Sequence, residues 1–388
     1  LFVDHTAQLG GAELSLLDLA ARTPNCRVAL FEDGPFVKRL RDEGVDTVVA
    51  DASALRAVRR NTSLLSGVAA FRGIWQSARA VARLGADCDV LYANSQKGWV
   101  GTALASKFCG KPAVWHLRDM LTRQHFSRTN IRVVVGLANR FASSVIANSK
   151  ATKQAFIDAG GRPDLVRVIY NGIHPGDFSE QHSHGEKPDG HTVACVGRLC
   201  QWKGQHVFVD AIAQTSGVRG LVIGEALFGE DDYAEQLREQ ADRLGITDRI
   251  EFMGFRKDVP ELLAGCDILA HTAIAPEPFG RVIVEGMFAG AAVIATRGGG
   301  PSEIIDHGET GLLIPPGDPA ALAATIKHLI HDADDAQRLV AAAAKAASER
   351  FSLDTVVRQV HELLNEVARP SIRVKLNPSS ATQDTTAS

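Results

Sequence analysis

Residues 277–301 read Glu-Pro-Phe-Gly-Arg-Val-Ile-Val-Glu-Gly-Met-Phe-Ala-Gly-Ala-Ala-Val-Ile-Ala-Thr-Arg-Gly-Gly-Gly-Pro. Pro278-Phe279-Gly280 interrupts any regular pattern and reads as a loop, and the apolar residues after it predict a helix over 281–289. The apolar run at 291–295 predicts a buried strand, after which Gly299-Gly300-Pro301 opens another helix. A helix, a buried strand and a glycine loop leading into a helix form the local unit of a parallel sheet with crossover helices.

The same alternation runs along all 388 residues. Strands are expected at 1–5, 27–31, 45–50, 89–93, 112–116, 143–147 and 166–170, with helices at 11–22, 64–84, 98–109, 130–142 and 149–159 between them. The pattern breaks at 174–190, a polar stretch with the composition of a linker. It resumes with strands at 192–197, 218–223, 249–252, 267–271, 291–295 and 312–314. Helices are expected near 203–215, 232–244, 257–264, 281–289, 318–331, 333–350 and 353–368. A chain of this length suggests two domains, each doubly wound, with ligands outside the carboxyl ends of the strands.

Composition narrows the function classes. With 45% hydrophobic and 22% charged residues the chain is globular, and a net charge of −3 gives no general pull toward nucleic acid. No apolar run approaches the ~20 residues that span a bilayer. A basic patch (Arg56, Arg59 and Arg60, with Lys97) nonetheless offers a face to a membrane or a phosphorylated acceptor, a solvated surface being the competing account. Six cysteines without a C-x-x-C pair read as buried thiols of a reducing cytosol. No signal peptide is visible, and a strand at the first residues suggests that native residues precede Leu1.

The chemistry concentrates at a few turns. Glu277 sits in the loop at a helix N-terminus and Glu285 about one turn further in, among Ile283, Val284, Met287 and Phe288. A carboxylate there is costly unless paired or hydrogen-bonded. Two such carboxylates beside free backbone N–H groups suit a ligand with a negative end and several hydroxyls. Glutamates eight apart are common on solvated helices, so the context, not the spacing, carries this reading. Gly10-Gly11-Ala12-Glu13 turns the first strand into the first helix, where glycines let backbone N–H groups approach a phosphate. A plain tight turn is the competing account, and the absence of G-x-G-x-x-G counts against a dinucleotide oxidoreductase. Arg198 and Lys203, in Gly197-Arg-Leu-Cys-Gln-Trp-Lys-Gly204, can bracket one diphosphate as a planar fork and a point charge. His116 ends a strand on the ligand-binding rim, with Asp119 after it and Asn94 ending an earlier strand, although isolated histidines are more often structural. Asn148-Ser149 reads as a helix cap, and Asn171-Gly172 as either a positive-φ turn or a ligand contact. His182, His184 and His191 sit in the linker without a fourth ligand of fixed spacing, and Asp87-Cys88-Asp89 leads into a strand instead of following one. No metal site is expected.

Residues 277–295 closely resemble the signature of retaining GT-B glycosyltransferases, the large family with mannosyl-, glucosyl- and sucrose-forming members. Residues 197–204 are similar to that family's diphosphate-binding motif, Gly10-Gly11-Ala12-Glu13 to a recurring ligand-facing loop, and residues 4–13 to bacterial enzymes that build surface polysaccharides on lipid-linked acceptors. The resemblance implies an α/β GT-B fold of two doubly wound Rossmann-like domains facing across a cleft. Residues 1–174 would bind the acceptor, 175–190 form the linker and 191–350 hold the donor. The helix within 351–369 would cross back to the first domain, and the Ser- and Thr-rich 370–388 reads as a disordered tail.

By the same resemblance, Glu277, His116, Arg198 and Lys203 form the catalytic group. Glu285 takes ribose hydroxyls, Arg198 and Lys203 the diphosphate, Glu277 a sugar hydroxyl, and backbone N–H groups of Phe279 and Gly280 the sugar or phosphate. Gly254, Phe255 and Arg256 meet the base, and Gly10, Gly11 and Arg281 complete the donor site. The acceptor meets Gly11, Asn94, His116 and Asp119. The implied activity is a metal-independent hexosyl transfer from a nucleotide-diphospho sugar to a glycan or lipid-linked acceptor, without a cofactor. It would occur in the cytoplasm, with peripheral contact at the inner membrane surface and no nucleic acid partner. Glu277→Ala is then expected to abolish transfer and leave the melting temperature near wild type. A nucleotide-sugar epimerase and a non-catalytic donor-binding partner protein are the competing functions. No motif fixes the base, the sugar, the acceptor or the oligomeric state.

Overall fold

The structure is a computed structural model that describes residues 1–50, 68–123, 126–178, 190–227 and 229–368. Arg56, Arg59, Arg60, His182, His184, most of the expected linker, the start of the expected helix 64–84 and the tail 370–388 lie outside the described residues.

The first half contributes β1 (Phe2–Asp4), β2 (Arg27–Leu30), β3 (Asp46–Val49), β4 (Leu91–Ala93), β5 (Ala113–Leu117), β6 (Ser144–Ala147) and β7 (Val166–Val168). They form a parallel sheet in the order β3-β2-β1-β4-β5-β6-β7, which reverses direction between β1 and β4. Its helices are α1 (Gly11–Ala20), α2 (Pro35–Asp42), α3 (Val68–Leu84), α4 (Gln96–Cys109), α5 (Arg128–Phe141) and α6 (Lys150–Asp158). The second half adds β8 (His191–Val196), β9 (Val218–Ile223), β10 (Ile250–Gly254), β11 (Ile268–His271), β12 (Ala292–Thr296) and β13 (Leu312–Ile314), ordered β10-β9-β8-β11-β12-β13. Here the switch falls between β8 and β11, and in each sheet it opens a crevice at the strands' carboxyl ends. The remaining helices are α7 (Gln205–Ala213), α8 (Asp231–Arg243), α9 (Val259–Ala264), α10 (Arg281–Ala289), α11 (Pro301–Ile304), α12 (Pro319–His331), α13 (Ala333–Phe351) and α14 (Leu353–Ala368).

Strands buried on both faces explain the continuous apolar runs of the sequence. In β5, Ala113, Trp115 and Leu117 face the core under α3, α4 and α5, where Trp115 stacks on Trp99 at 5.5 Å. Val114 faces the opposite core with Phe2, Tyr92 and Ile146, beneath α1, α2 and α14. Each fully buried large side chain contributes about 1.5–3 kcal/mol. Helix α2 has no counterpart among the expected elements. It is eight residues long and its apolar Phe36, Val37 and Leu40 are interleaved with Lys38, Arg39 and Arg41, too short a run for periodicity to show.

The chain crosses between the two halves twice, side by side. Ile173 N–H donates to Phe351 O at 3.0 Å and Leu353 N–H to Ile173 O at 2.9 Å. Helix α13 ends in the second core at Phe351, whereas α14 buries Leu353, Val356, Val360 and Leu363 against the first sheet. That spacing is the apolar stripe of an amphipathic helix. Gly172 does not take the positive φ offered for it as a turn residue. Glycine is required instead by close approach, since a Cβ there would meet Leu353 Cα at 2.8 Å. All six cysteines are free thiols, three of them buried. No helix among the described residues is long and apolar enough to cross a membrane.

Candidate functional site

The loop before α10 is held by glycines that no other residue could replace. Gly299, at φ +62°, lies so close to the loop that a Cβ would approach Glu277 O to 2.2 Å, and one on Gly300 would reach Phe279 O at 2.3 Å. Gly300 N–H donates to Glu277 O at 2.8 Å, which fixes the backbone at Glu277. The Phe279 side chain is buried beside Phe351 and Tyr170, so it anchors the loop from below. Gly280, at φ +100°, starts α10, and no side chain caps that helix. Its first N–H groups therefore keep the positive end of the helix dipole, a natural place for an anion.

Glu277 points from this loop to Lys203, whose Nζ lies 2.6 Å from Oε2. His271, at the end of β11, brings Nε2 to 3.5 Å from the same oxygen. Burial pushes the Glu277 carboxyl upward, but the Lys203 charge and the His271 contact outweigh it and hold it at about 2. Lys203 also lies over the Trp202 ring at 4.6 Å and is placed by a tight turn at Gly204. Gly204 has φ +70°, and a Cβ there would strike Thr272 O at 2.1 Å. Arg198, in the same loop, is half-buried, and its carbonyl accepts from Gln205 Nε2 at 2.9 Å. On the sheet's outer side Gly254 takes φ +67°, Phe255 is 48% exposed, and Arg256 pairs with Asp258 through Nε at 2.8 Å.

Hydrogen bonds of Arg281, Glu303 and Pro278 join the two halves here. Arg281 Nε donates to Glu285 Oε1 at 2.7 Å, while its Nη1 donates to Asp18 Oδ2 at 2.8 Å and Ser15 Oγ at 3.2 Å on α1. Glu285 is thus paired, as its apolar surroundings require, and the partner is Arg281. Glu303 accepts from the N–H groups of Lys150 and Ala151 at 2.8 and 2.7 Å, so a carboxylate of the second half sits on the first turn of α6. Thr152 Oγ1 donates to Pro278 O at 3.4 Å, and Ser149 caps α6 through Thr152 N–H.

The first sheet's rim is a buried polar network. Arg118 donates through Nε to Asn94 Oδ1 at 2.6 Å and through Nη1 to Asn171 Oδ1 at 2.7 Å. Asn94 Nδ2 in turn donates to Asp4 Oδ2 at 2.6 Å, so both ends of the Asn94 amide are engaged within the protein. His116 is not an open rim group: it is 2% exposed, within β5, with Nδ1 bonded to the Tyr92 hydroxyl. Burial, reinforced by the Arg118 charge, pushes it well below the usual imidazole range, so it is neutral. Its buried Nε2 has no hydrogen-bond partner among the described residues. Gly10 and Gly11 start α1, and Glu13 in its first turn is raised to about 8 by burial and by the nearby Asp4 charge. Asp119 adds to that rise from the loop after β5.

The structure therefore gathers Glu277, Lys203, Phe279, Gly280, Arg281 and Glu285 around the start of α10, and Asn94, His116 and Gly10 around the opposite rim. Arg118, Asp18, His271 and Glu303 were not singled out in the sequence. Arg118 had a signal, since it directly follows the rim strand β5. Asp18 and Glu303 had none, because their partners lie more than 150 residues away in the other half. Among the described residues no group of three or more His, Cys, Asp or Glu is placed to hold a metal ion.

Residues 177–346 match the family model described as glycosyl transferases group 1, and residues 10–172 match that of the glycosyl transferase 4-like domain. Among solved structures the chain is similar to the Anabaena protein HepE, crystallised with UDP and glucose. The two are 40% identical with a TM-score of 0.85, over 94% of this chain and 98% of that one. Sucrose-phosphate synthase of Thermosynechococcus elongatus shares the fold at 21% identity, with a TM-score of 0.78 over 94% of this chain and 98% of its own. Among curated proteins, a lipopolysaccharide core biosynthesis glycosyltransferase of Rhizobium meliloti is 27% identical over 58% of this chain and 65% of its own length. This and two further curated relatives are matched over 65%, 58% and 60% of their lengths, less than two thirds of each.

Proposed function

We propose a function for this chain from one premise: it belongs to the glycosyl transferase group 1 family. It transfers a hexose from a nucleoside-diphosphate sugar to a glycan or lipid-linked acceptor, with retention of configuration. The observation that carries this reading is the Glu277–Lys203 pair at 2.6 Å beside the uncapped start of α10. An ionised carboxylate there accepts from sugar hydroxyls, and Lys203 with Arg198 and the helix N-terminus faces the diphosphate. Negative charge grows on the β-phosphate as the sugar leaves, and cations fixed beforehand stabilise it, a kind of contribution worth several kcal/mol of barrier. That positive set supports a reaction without a metal ion or other cofactor. Retention fits a same-face displacement in which the departing phosphate takes the acceptor's proton, since the Glu277 carboxylate is held by Lys203 and not free to act as a nucleophile. Glu285 Oε1 is held by Arg281, which leaves Oε2 for a ribose hydroxyl. The acceptor enters over α1 and the Arg118 rim, on the cytoplasmic face of the membrane if it is lipid-linked.

UDP is the favoured nucleotide, because HepE, at 40% identity, was crystallised with UDP and glucose. A thermal-shift panel of UDP, GDP and ADP tests this. UDP at about 100 times its dissociation constant should add about 2.7 kcal/mol to stability. A shift with GDP or ADP alone overturns the choice of base, and no shift with any of them overturns the donor site. Turnover of the UDP sugar with a glycan acceptor, followed as UDP release and product anomer, tests transfer and retention.

A cross-cleft prediction follows from the same geometry. Asp18→Ala frees Arg281 from α1 and lets Glu285 swing with it, so donor KM should rise about tenfold, the worth of one charged hydrogen bond. The kcat should change less than KM. Steady-state kinetics at varied donor checks this, and an unchanged KM would show that the Arg281 bridge does not position Glu285.

A further inference from the structure

The outer face of α3 and α4 carries a charge bias that the rest of the chain opposes. Residues 52–157 hold sixteen Lys and Arg against three Asp (Asp87, Asp89 and Asp119), although the whole chain has a net charge of −3. Neither α3 nor α4 contains a carboxylate. Elsewhere Arg27, Arg162, Arg167, Arg219 and Arg256 each hold an Asp or Glu, although the exposed Arg39, Arg41 and Arg243 hold none among the described residues. Arg72, Arg79 and Arg83 on α3 hold none among the described residues.

Two large aromatics stand exposed in the middle of these arginines. Trp75 on α3 is 39% exposed and Phe108 on α4 is 48% exposed. Their rings meet edge to face at 5.1 Å, and the Arg79 guanidinium lies 5.2 Å above Trp75. A groove of about 480 Å³ runs between the helices, lined by Trp75, Arg79, Ala82, Arg83 and Phe108. Single exposed aromatics need no explanation, but two in contact, ringed by unpaired cations, form an apolar wedge with a basic rim.

We propose that this α3–α4 face docks on an anionic lipid bilayer, with Trp75 and Phe108 entering the interface and Arg72, Arg79 and Arg83 meeting lipid phosphates. Charge complementarity selects this occupant. A second copy docking face to face through the same patch would bring arginines against arginines, whereas an anionic bilayer supplies phosphate to all of them and an apolar layer beneath. Aromatic rings at headgroup depth with arginines reaching upward match the physics of interfacial helices. The inference extends the function proposed above without depending on it, because vesicle binding needs neither donor nor acceptor.

The test is cosedimentation of the full chain with vesicles of phosphatidylcholine alone or with about 30% phosphatidylglycerol, at low and high salt. Binding should require phosphatidylglycerol and weaken with salt, and tryptophan emission should shift to the blue in a Trp202→Phe background, where Trp75 is the one tryptophan not already fully buried, since Trp99 and Trp115 are. Arg79→Ala with Arg83→Ala should lower the partition about 25-fold, at about fivefold per arginine. Trp75→Ser with Phe108→Ser should lower it at least as far. Both variants should keep the wild-type melting temperature and the UDP-induced shift, which separates docking from folding and from the donor site. No binding to anionic vesicles, or binding unchanged in both variants, overturns the proposal. So does self-association, or binding of RNA in preference to vesicles, that these substitutions abolish.

Discussion

Glu277→Ala should reduce transfer by about 100- to 1,000-fold or more, the scale for removing a preorganised polar group from a reacting centre. The loss should fall mainly on kcat, because a hydroxyl contact next to the breaking bond is worth most when charge separates. The structure also revises the expectation that the fold would be untouched. Glu277 is paired with Lys203 at 2.6 Å, and the two side chains are only 12% and 18% exposed. Removing the carboxylate leaves a largely buried ammonium without its partner, so stability should drop by about 2–4 kcal/mol. Glu277→Gln retains the shape and one acceptor oxygen, and should lose less stability while remaining slow. Kinetics and chemical denaturation of the two variants side by side check this. Full activity in Glu277→Ala would sink the assigned role, and an unchanged midpoint would show that the pair contributes nothing to folding.

The alternating strands and helices were legible because most strands, the edge strands β3, β7 and β10 excepted, are buried on both faces, and most helices are amphipathic or bounded by Gly, Pro or Ser. Helix α10 was readable to the residue, Arg281–Ala289, since Gly280 and Gly290 both take positive φ at its ends. The Glu277–Lys203 encounter was only half visible. Each residue stood in a motif, but 74 residues separate them, and nothing local says that the Gly204 turn and the Gly299 contact aim both at one point. The burial of His116 was not legible, for a physical reason. Strand position alone placed it on the rim, whereas the face it takes is set by a period of two, and Val114 and Tyr92 on that face belong to the core. The charge that reaches the rim is Arg118, held by Asn94 and Asn171 from two other strand ends, a convergence that only the folded sheet reveals. Contacts across the cleft, Arg281 to Asp18 and Glu303 to α6, depend on how the two sheets meet and leave no pattern in the sequence of either.

Lys203→Ala should be as slow as Glu277→Ala and should differ from it in how it responds to pH. In the wild type burial alone would raise the Glu277 carboxyl, and the Lys203 charge is the largest influence holding it down at about 2. A folded-state pKa below the unfolded value contributes stability that is present above about pH 4.5 and lost as pH falls through about 2. That contribution amounts to about 3 kcal/mol. Without Lys203 the ordering reverses. With only the His271 contact left to oppose burial, the carboxyl is expected to rise above its unfolded value, and its contribution is then present at low pH and lost as pH rises through the new folded value. Lys203→Ala should therefore be destabilised most at pH 7 and recover part of the deficit near pH 5, where the wild type gains nothing from acid. Transfer should follow the same logic. The wild type has no acid limb from Glu277 above pH 4, while the variant should lose its residual activity as pH drops through the raised value. Melting temperatures and single-turnover rates between pH 4.5 and 8 separate the two cases. A pH-independent deficit would mean that Lys203 acts on the diphosphate alone and that its pairing with Glu277 is incidental.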